Sequence, residues 1–533
     1  MFCTLQPFIY GIILKKLTQF SDYHYSIITL VYIASWFLIT LNFGSLYWDD
    51  WTLYGQDSRA VIKTFSEAGA MFTGRVHLTL LGVGDSIWPY RLLTFSSYLI
   101  VSYSIYWLAL QLSFLSKSSA LFLALIVAVY PLNHARIALI NTPSAYSLML
   151  FQIGFVLCVV ASVRKSYLVR ISSLALLFIS FETMSLLVFY FLPISYLLYF
   201  ERDRFIKSPA PVISFTRWLT TKIDYLLLPF IFLGIKTIAF KPAGMYENYN
   251  SVGMDGVIAA LGNTIPVITT VFVPLIDEVS EYYIVAMVLV ITPFLFTKPS
   301  QILVSFKLSN VIFVLLGVLV LYLSIFPYVV VGKIPYFYDW SGRFYLLAPI
   351  GAAMLLCAAF EFFNKRIRVA LISAVILFST IINNQVMYAY LLDGFKQDSI
   401  VSNFRKLPEL KNKMGVLLYK DNIFELNALS RTYRFYEFNG LMKKSLGTEL
   451  LLGLYEHRPR NLQVLGEVSG HKPYSFSGYE PETAEVIGII VIDPGGFKIS
   501  PLQVHSILFD KLLSPSSYDK TISELTTLHF LAK

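Results

Sequence analysis

The sequence predicts an α-helical polytopic membrane protein that carries a small extramembrane α/β domain at its C-terminal end. Three observations carry this reading. Of 533 residues, 56% are hydrophobic and only 14% are charged, with a mean hydropathy of +0.64, whereas a soluble domain is about one quarter charged. Long apolar runs recur from Ser26 to Tyr390, several of them near the ~20 residues that cross a bilayer as a helix. After Tyr390 the composition turns mixed and polar. The predicted domains are therefore 1–392 in the membrane and 393–533 outside it.

Ser26–Gly44 is the first crossing. Lys15-Lys16 lie well before it, and the run is long and lacks a small-residue cleavage pattern, so an anchor is expected rather than a cleaved signal peptide. Further runs are Leu92–Leu112, Ala120–Leu132, Ala145–Val163, Ile171–Tyr199, Tyr225–Phe240, Tyr282–Phe296, Asn310–Val331, Phe344–Phe360 and Val369–Tyr390. Lys15-Lys16, Lys117, Arg164-Lys165-Arg170, Arg202–Lys222, Lys298 and Lys307, and Lys365-Arg366-Arg368 fall in one alternating set of loops. The positive-inside rule assigns that set to the cytoplasm. Loop placement thus accounts for the net charge of +9, and no nucleic-acid partner is implied. Ile171–Tyr199 has basic flanks at both ends and reads as two short segments turning near Phe181-Glu182-Thr183-Met184, with Glu182 towards the outer face. Such short segments need surrounding protein. Val257–Leu275, broken by Pro266 and Pro274, reads as a surface or re-entrant element. The expected topology has about 11 crossings in a plasma or inner membrane, with the N-terminus cytoplasmic and the C-terminal domain extracytoplasmic.

Beyond Tyr390, strand-like runs at Gly415–Tyr419 and Val486–Ile492 and helical periodicity at Ser399–Lys411 and Ile423–Lys444 predict a small α/β fold. Asp493-Pro494-Gly495-Gly496 is a strand-ending turn without the spacing of a nucleotide-binding loop. Cys3, Cys158 and Cys357 suggest neither a disulfide nor a metal cluster. His457, His471, His505 and His529 have no ligand spacing, and neither the HExxH nor the Gly-x-Ser-x-Gly pattern occurs, so metalloprotease and serine-hydrolase readings have no support.

The chemistry points to Tyr47-Trp48-Asp49-Asp50-Trp51-Thr52-Leu53-Tyr54, which opens a long first outer loop, 44–90. The aromatic residues are expected at headgroup depth as anchors. Two carboxylates fixed beside a membrane can activate a hydroxyl or bind a divalent cation such as Mg or Mn, on Asp49 or Asp50. Side by side they repel, which raises the apparent pKa of the pair. The same loop holds Asp57, Arg59, Lys63, Glu67, Arg75, His77 and Asp85, with Arg91 at its end, and Ser58–Phe72 has apolar spacing that suits a helix on the membrane surface. Cationic candidates for a phosphate are Arg75, His77, Arg91, His134, Arg136, Lys241 and Arg343. Glu182 is a possible second acidic group. Trp48, Trp51, Tyr336 and Trp340 are candidates for stacking on a sugar.

A cytoplasmic N-terminus, one crossing, an acidic motif opening a long first outer loop, about 11 crossings and an outer C-terminal domain together resemble the GT-C glycosyltransferases. That superfamily includes protein O-mannosyltransferases, aminoarabinose transferases of lipid A, oligosaccharyltransferases and serotype-converting glucosyltransferases. The resemblance covers the membrane part, to about Tyr390, and rests on placement rather than on a long motif. It implies an inverting transferase that moves a sugar from a polyprenyl-phosphate donor to an envelope glycan, lipid or protein on the extracytoplasmic face. The family's first-loop carboxylate would fall on Asp49 or Asp50, and the two together are the expected catalytic groups. The Trp-Trp-Asp signature of oligosaccharyltransferases is absent from the C-terminal domain, which disfavours transfer of a whole oligosaccharide to asparagine. The alternatives are a lipid-linked polysaccharide polymerase, which would rely on outer-loop arginines such as Arg343, a flippase or transporter of an envelope glycan, and a scaffold in which Asp49 and Asp50 are replaceable.

Overall fold

Apolar helices make up most of the chain, and a four-stranded sheet closes its C-terminal end. The computed structural model describes residues 22–53, 58–83, 87–206, 209–247, 250, 252–295, 297, 308–448, 450–456 and 485–533. Cys3, Lys15-Lys16, Tyr54, Asp57, Asp85, Lys298, Lys307, His457 and His471 lie outside the described residues.

Five stretches are long and apolar enough to cross a membrane: Trp88–Gln111, Leu139–Arg164, Met254–Glu281, Asn310–Val329 and Lys365–Phe404. Shorter apolar helices fill the spaces among them, at Tyr23–Ile39, Lys117–Val129, Tyr167–Ser180 and Ala348–Phe360. By length and composition these are the helices of a membrane protein. Proline opens several helices, at Pro89, Pro143 and Pro349, where a missing N–H costs nothing. Elsewhere a side chain caps the first turn: Ser116 accepts from Ser119 N, and Asn364 accepts from Arg366 N and Ile367 N. Leu308–Val329 and Ala348–Phe360 cross so closely that a Cβ on Gly351 would stand 2.4 Å from Leu321 Cα. Small residues permit that approach between membrane helices.

The run 171–199 breaks as its flanks predict. One helix ends at Ser180, a turn holds Glu182, and Ser185–Phe189 and Phe191–Ile206 follow. In the stretch predicted as a surface or re-entrant element, the chain breaks before Pro274 but not at Pro266. Met254–Thr270 runs through Pro266 as one helix, and with Val273–Glu281 it forms an apolar stretch of 28 residues, long enough to cross. Pro266 removes one backbone donor without ending the helix, as membrane helices tolerate when neighbours satisfy the freed groups. The surface helix predicted at Ser58–Phe72 is two helices, Ser58–Glu67 and Met71–Leu81, divided at Gly69, whose φ is +66°. Val61 and Phe65 are its buried stripe.

In the C-terminal part, β1 (Gly415–Asp421), β2 (Leu451–Tyr455), β3 (Val486–Pro494) and β4 (Thr526–Ala532) form a sheet in the order β2-β1-β3-β4. β1 runs parallel to β2 and β3, and β4 is antiparallel to β3. The helix Phe435–Leu446 packs on the sheet through Phe438, whose ring stacks on Tyr419 at 4.0 Å. The predicted boundary at 392/393 falls inside a single helix of 40 residues, Lys365–Phe404. Its lower part is apolar. Its upper part carries Asp393, Lys396 and Gln397 into the core of the C-terminal part. One rigid rod therefore joins the two.

Candidate active site

The acidic motif forms a short 3-10 turn, Trp48–Thr52, between the membrane helices and the C-terminal part. Burial separates the two carboxylates. Asp50 is fully buried: its Oδ2 accepts from Tyr47 N at 3.1 Å, and its Oδ1 accepts from Ile140 N at 3.0 Å. It closes its own turn and ties that turn to the segment 139–141. Burial pushes its carboxyl up to about 7, against the opposing pull of Arg91 and the backbone donors. The cause is desolvation, where the sequence suggested repulsion from the neighbouring acid. Asp49 keeps a side chain about 20% exposed. Tyr436 donates its hydroxyl to Asp49 Oδ1 at 3.0 Å, and Arg343 Nη1 stands 3.7 Å from Oδ2. Arg434 also feels the charge of Asp49, along with those of Glu437 and Asp339.

Three strained or buried groups hold this turn. Trp48 has φ +49°, a left-handed conformation that costs a bulky residue about 1–3 kcal/mol. Its N–H donates to Glu437 Oε1 at 2.9 Å, its ring lies 5.0 Å from Trp340, and the Arg431 guanidinium sits over it at 5.2 Å. Arg431 in turn bridges Asp393 Oδ2, at 3.0 Å, and Glu437. Trp51 is buried too. A Cβ on Gly440 would fall 2.1 Å from its ring, so only glycine lets this helix close on the turn.

The motif's described aromatic residues are therefore core rather than headgroup anchors. Tyr47, Trp48 and Trp51 are at most 2% exposed. Their faces are taken by protein, which corrects the sugar-stacking expectation for Trp48 and Trp51; the C-terminal part covers what a bare membrane loop would have left open. Trp340 is also buried, with Arg343 over its outer face at 4.0 Å, while Tyr336 is exposed.

The cationic candidates do not converge on Asp49, Arg343 excepted. Arg91 is buried and donates to the carbonyls of Asn42 and Ser45. Arg136 donates to the carbonyls of Asn133 and Leu132, and lies between the rings of Trp36 and Tyr98, 3.9 Å from each. His77 stacks on Phe65 and meets the Tyr90 hydroxyl, and His134 packs edge-on to Phe337. Burial lowers both imidazoles to about 3, so neither offers a positive charge to a phosphate at neutral pH. These four are structural. Arg75 and Lys241 are exposed on the surface. Glu182 accepts from Phe72 N, Thr73 N and the Thr73 hydroxyl, capping the first turn of Met71–Leu81 from a neighbouring helix turn.

A divalent cation does not fit this donor set. Asp50 spends its oxygens on backbone N–H groups, and Asp49 faces a guanidinium and a phenol, which suit an anion. Among the described residues no three metal-ligating side chains come together.

Tyr436, Arg434, Arg431, Glu437 and Asp393 were not singled out from the sequence. The signal was present in Arg431-Thr432-Tyr433-Arg434-Phe435-Tyr436-Glu437, which alternates charge and aromatic ring just before a helix. The contacts of Asp49 with Arg343 and Tyr436 put the first loop, the 336–345 loop and the C-terminal part on one face of the helical bundle. Compared with protein-family models and with curated proteins, the chain matches none.

Proposed function

We propose that this chain is a polyprenyl-phosphate-sugar-dependent glycosyltransferase of the GT-C type, with about 11 crossings, a cytoplasmic N-terminus and its site on the extracytoplasmic face. The observation that carries the reading is the division of the acidic pair: Asp49 alone presents an accessible carboxylate, and Arg343 and Tyr436 flank it. Asp49 takes the proton of an acceptor hydroxyl. The acceptor oxygen bonds to the anomeric carbon from the face opposite the lipid, the bond from that carbon to the phosphate oxygen breaks, and configuration inverts. The leaving lipid phosphate is met by Arg343, with Arg434 as the second cation. At 3.7 Å from Asp49 Oδ2, Arg343 is beyond a hydrogen bond and free to turn to phosphate. The acceptor is an envelope glycan, lipid or protein.

The test uses membrane vesicles loaded with polyprenyl-phosphate hexoses, with release of polyprenyl phosphate as the readout. Asp49→Asn is expected to slow transfer by about 10²–10⁴-fold, the usual worth of a general base. Full transfer by Asp49→Asn overturns the assignment. If Arg343→Ala abolishes transfer while Asp49→Asn leaves it intact, the polymerase reading replaces this one.

A further inference from the structure

We infer that the helix Pro501–Leu513 is an interfacial membrane anchor, with Phe509, Leu512 and Leu513 seated in the bilayer beside the ends of the first and last described membrane helices. The inference does not depend on the proposed catalytic role. Two apolar stripes share this helix. Val504, Ile507 and Leu508 form the first and are buried against Leu391 and Phe395, with Leu38, Leu41 and Tyr388 packed around them. The second, Phe509, Leu512 and Leu513, has the i, i+3, i+4 spacing of one helix face and is 64, 56 and 79% exposed. His505 and Ser506 are exposed too, so polar residues border the second stripe.

Depth comes from what the first stripe touches. Leu38 and Leu41 end the first apolar run, and Tyr388 belongs to the long helix Lys365–Phe404, itself apolar enough to cross a membrane. The far end of the anchor helix is level with the end of the first run as well, because a Cβ on Gly44 would stand 3.2 Å from Lys511 Nζ. Lys511 is held there by Asp398 Oδ2 at 2.8 Å. The first helix shows its own exposed stripe, Leu30, Ile33 and Phe37, just below Leu38. An apolar face at this level is continuous with the lipid-facing surface, and an amphipathic helix lying in the interface buries such a face among headgroups and acyl chains. The bilayer is therefore the occupant.

The test places spin labels on cysteines introduced at Phe509, Leu512 and Leu513, with Ser506 as control. The chain is full length, carries Cys3→Ser, Cys158→Ala and Cys357→Ala, and sits in nanodiscs of phosphatidylcholine and phosphatidylglycerol. The ratio of collisions with oxygen to collisions with a water-soluble nickel chelate should rise severalfold at the three apolar positions over Ser506. An equal ratio at all four positions overturns the inference, and so do labels shielded from both reagents, which would mean a protein surface covers the stripe. If the cysteine-replaced chain fails to fold, Leu512→Trp in the otherwise unchanged chain gives the same reading. Brominated lipids should then quench its added fluorescence, and an unquenched addition overturns the anchor.

Discussion

Replacing Arg431 with methionine should destabilise the junction that holds the acidic turn. The side chain is 8% exposed and bridges two carboxylates that are themselves sealed, Asp393 at 0% and Glu437 at 1%. Removing one partner from a buried ion pair costs about 3–5 kcal/mol, because a charge is left without compensation. Two carboxylates lose their cation here, yet each keeps other donors. Asp393 still accepts from Tyr433, Gln397 and the Ala428 N–H, and Glu437 from the N–H groups of Trp48 and Arg434. The loss therefore stays near that range and does not double. At about 2–4 °C per kcal/mol for a mid-sized folding unit, the melting temperature should fall by roughly 6–20 °C. Thermal unfolding in detergent followed by tryptophan fluorescence reads the change directly, because Trp48 loses the guanidinium over its ring. Adding Glu437→Gln to Arg431→Met should recover part of the loss, since it removes one orphaned charge. An Arg431→Met melt within about 2 °C of the parent would refute the reasoning.

Two further outcomes follow from the same junction. The Asp50 carboxyl is raised from 3.8 to about 7 by burial, so the folded chain keeps a proton that the unfolded chain releases. Its contribution to stability is complete below 3.8 and is lost as pH rises through about 7. Asp50→Asn, which cannot titrate, should flatten the fall in melting temperature between pH 5 and pH 8, and an unchanged slope in the variant would show that Asp50 is not its source. Gly440→Ala puts a methyl 2.1 Å from the Trp51 ring and should cost about 1–3 kcal/mol by overpacking, seen as a lower melting temperature. A neutral result there would mean that the helix and the turn do not meet.

Periodicity and run length made the helices legible, since burial in lipid or in protein imposes the same apolar pattern. The turn at Glu182 was legible because basic flanks forced it. Pro266 misled, because a proline that breaks a helix in water is accommodated where neighbouring helices satisfy the freed carbonyl. β1 and β3 were visible as β-branched and aliphatic runs. The helix expected from Ile423 begins only at Phe435, because the buried ammonium of Lys396 collects Asp421, Asn427 and the Ile423 carbonyl and wraps the intervening chain around itself. No local pattern announces a cation that is satisfied across 25 residues of sequence. The same limit hid Arg431, which joins Glu437, 6 residues after it, to Asp393, 38 residues before it, and covers Trp48 across the junction.

The acidic pair shows how adjacency in sequence can mislead about chemistry. Neighbours in a 3-10 turn point about 120° apart, so two consecutive carboxylates cannot act as one dyad unless the chain bends back. Here one direction leads into the protein and the other to the gap facing Arg343. The inward acid meets backbone donors, loses its solvent, which raises its carboxyl, and becomes a strut whose worth is structural. The outward acid keeps water at one edge and a phenol and a guanidinium at the other. An Asp50→Glu change would push one more methylene into a site with no exposed surface, whereas Asp49→Glu would move a carboxylate that has room. The two substitutions are equally conservative on paper. Only the first should lower stability, by about 1–3 kcal/mol of overpacking, and only the second should leave the fold intact while shifting the carboxylate that the proposed function uses.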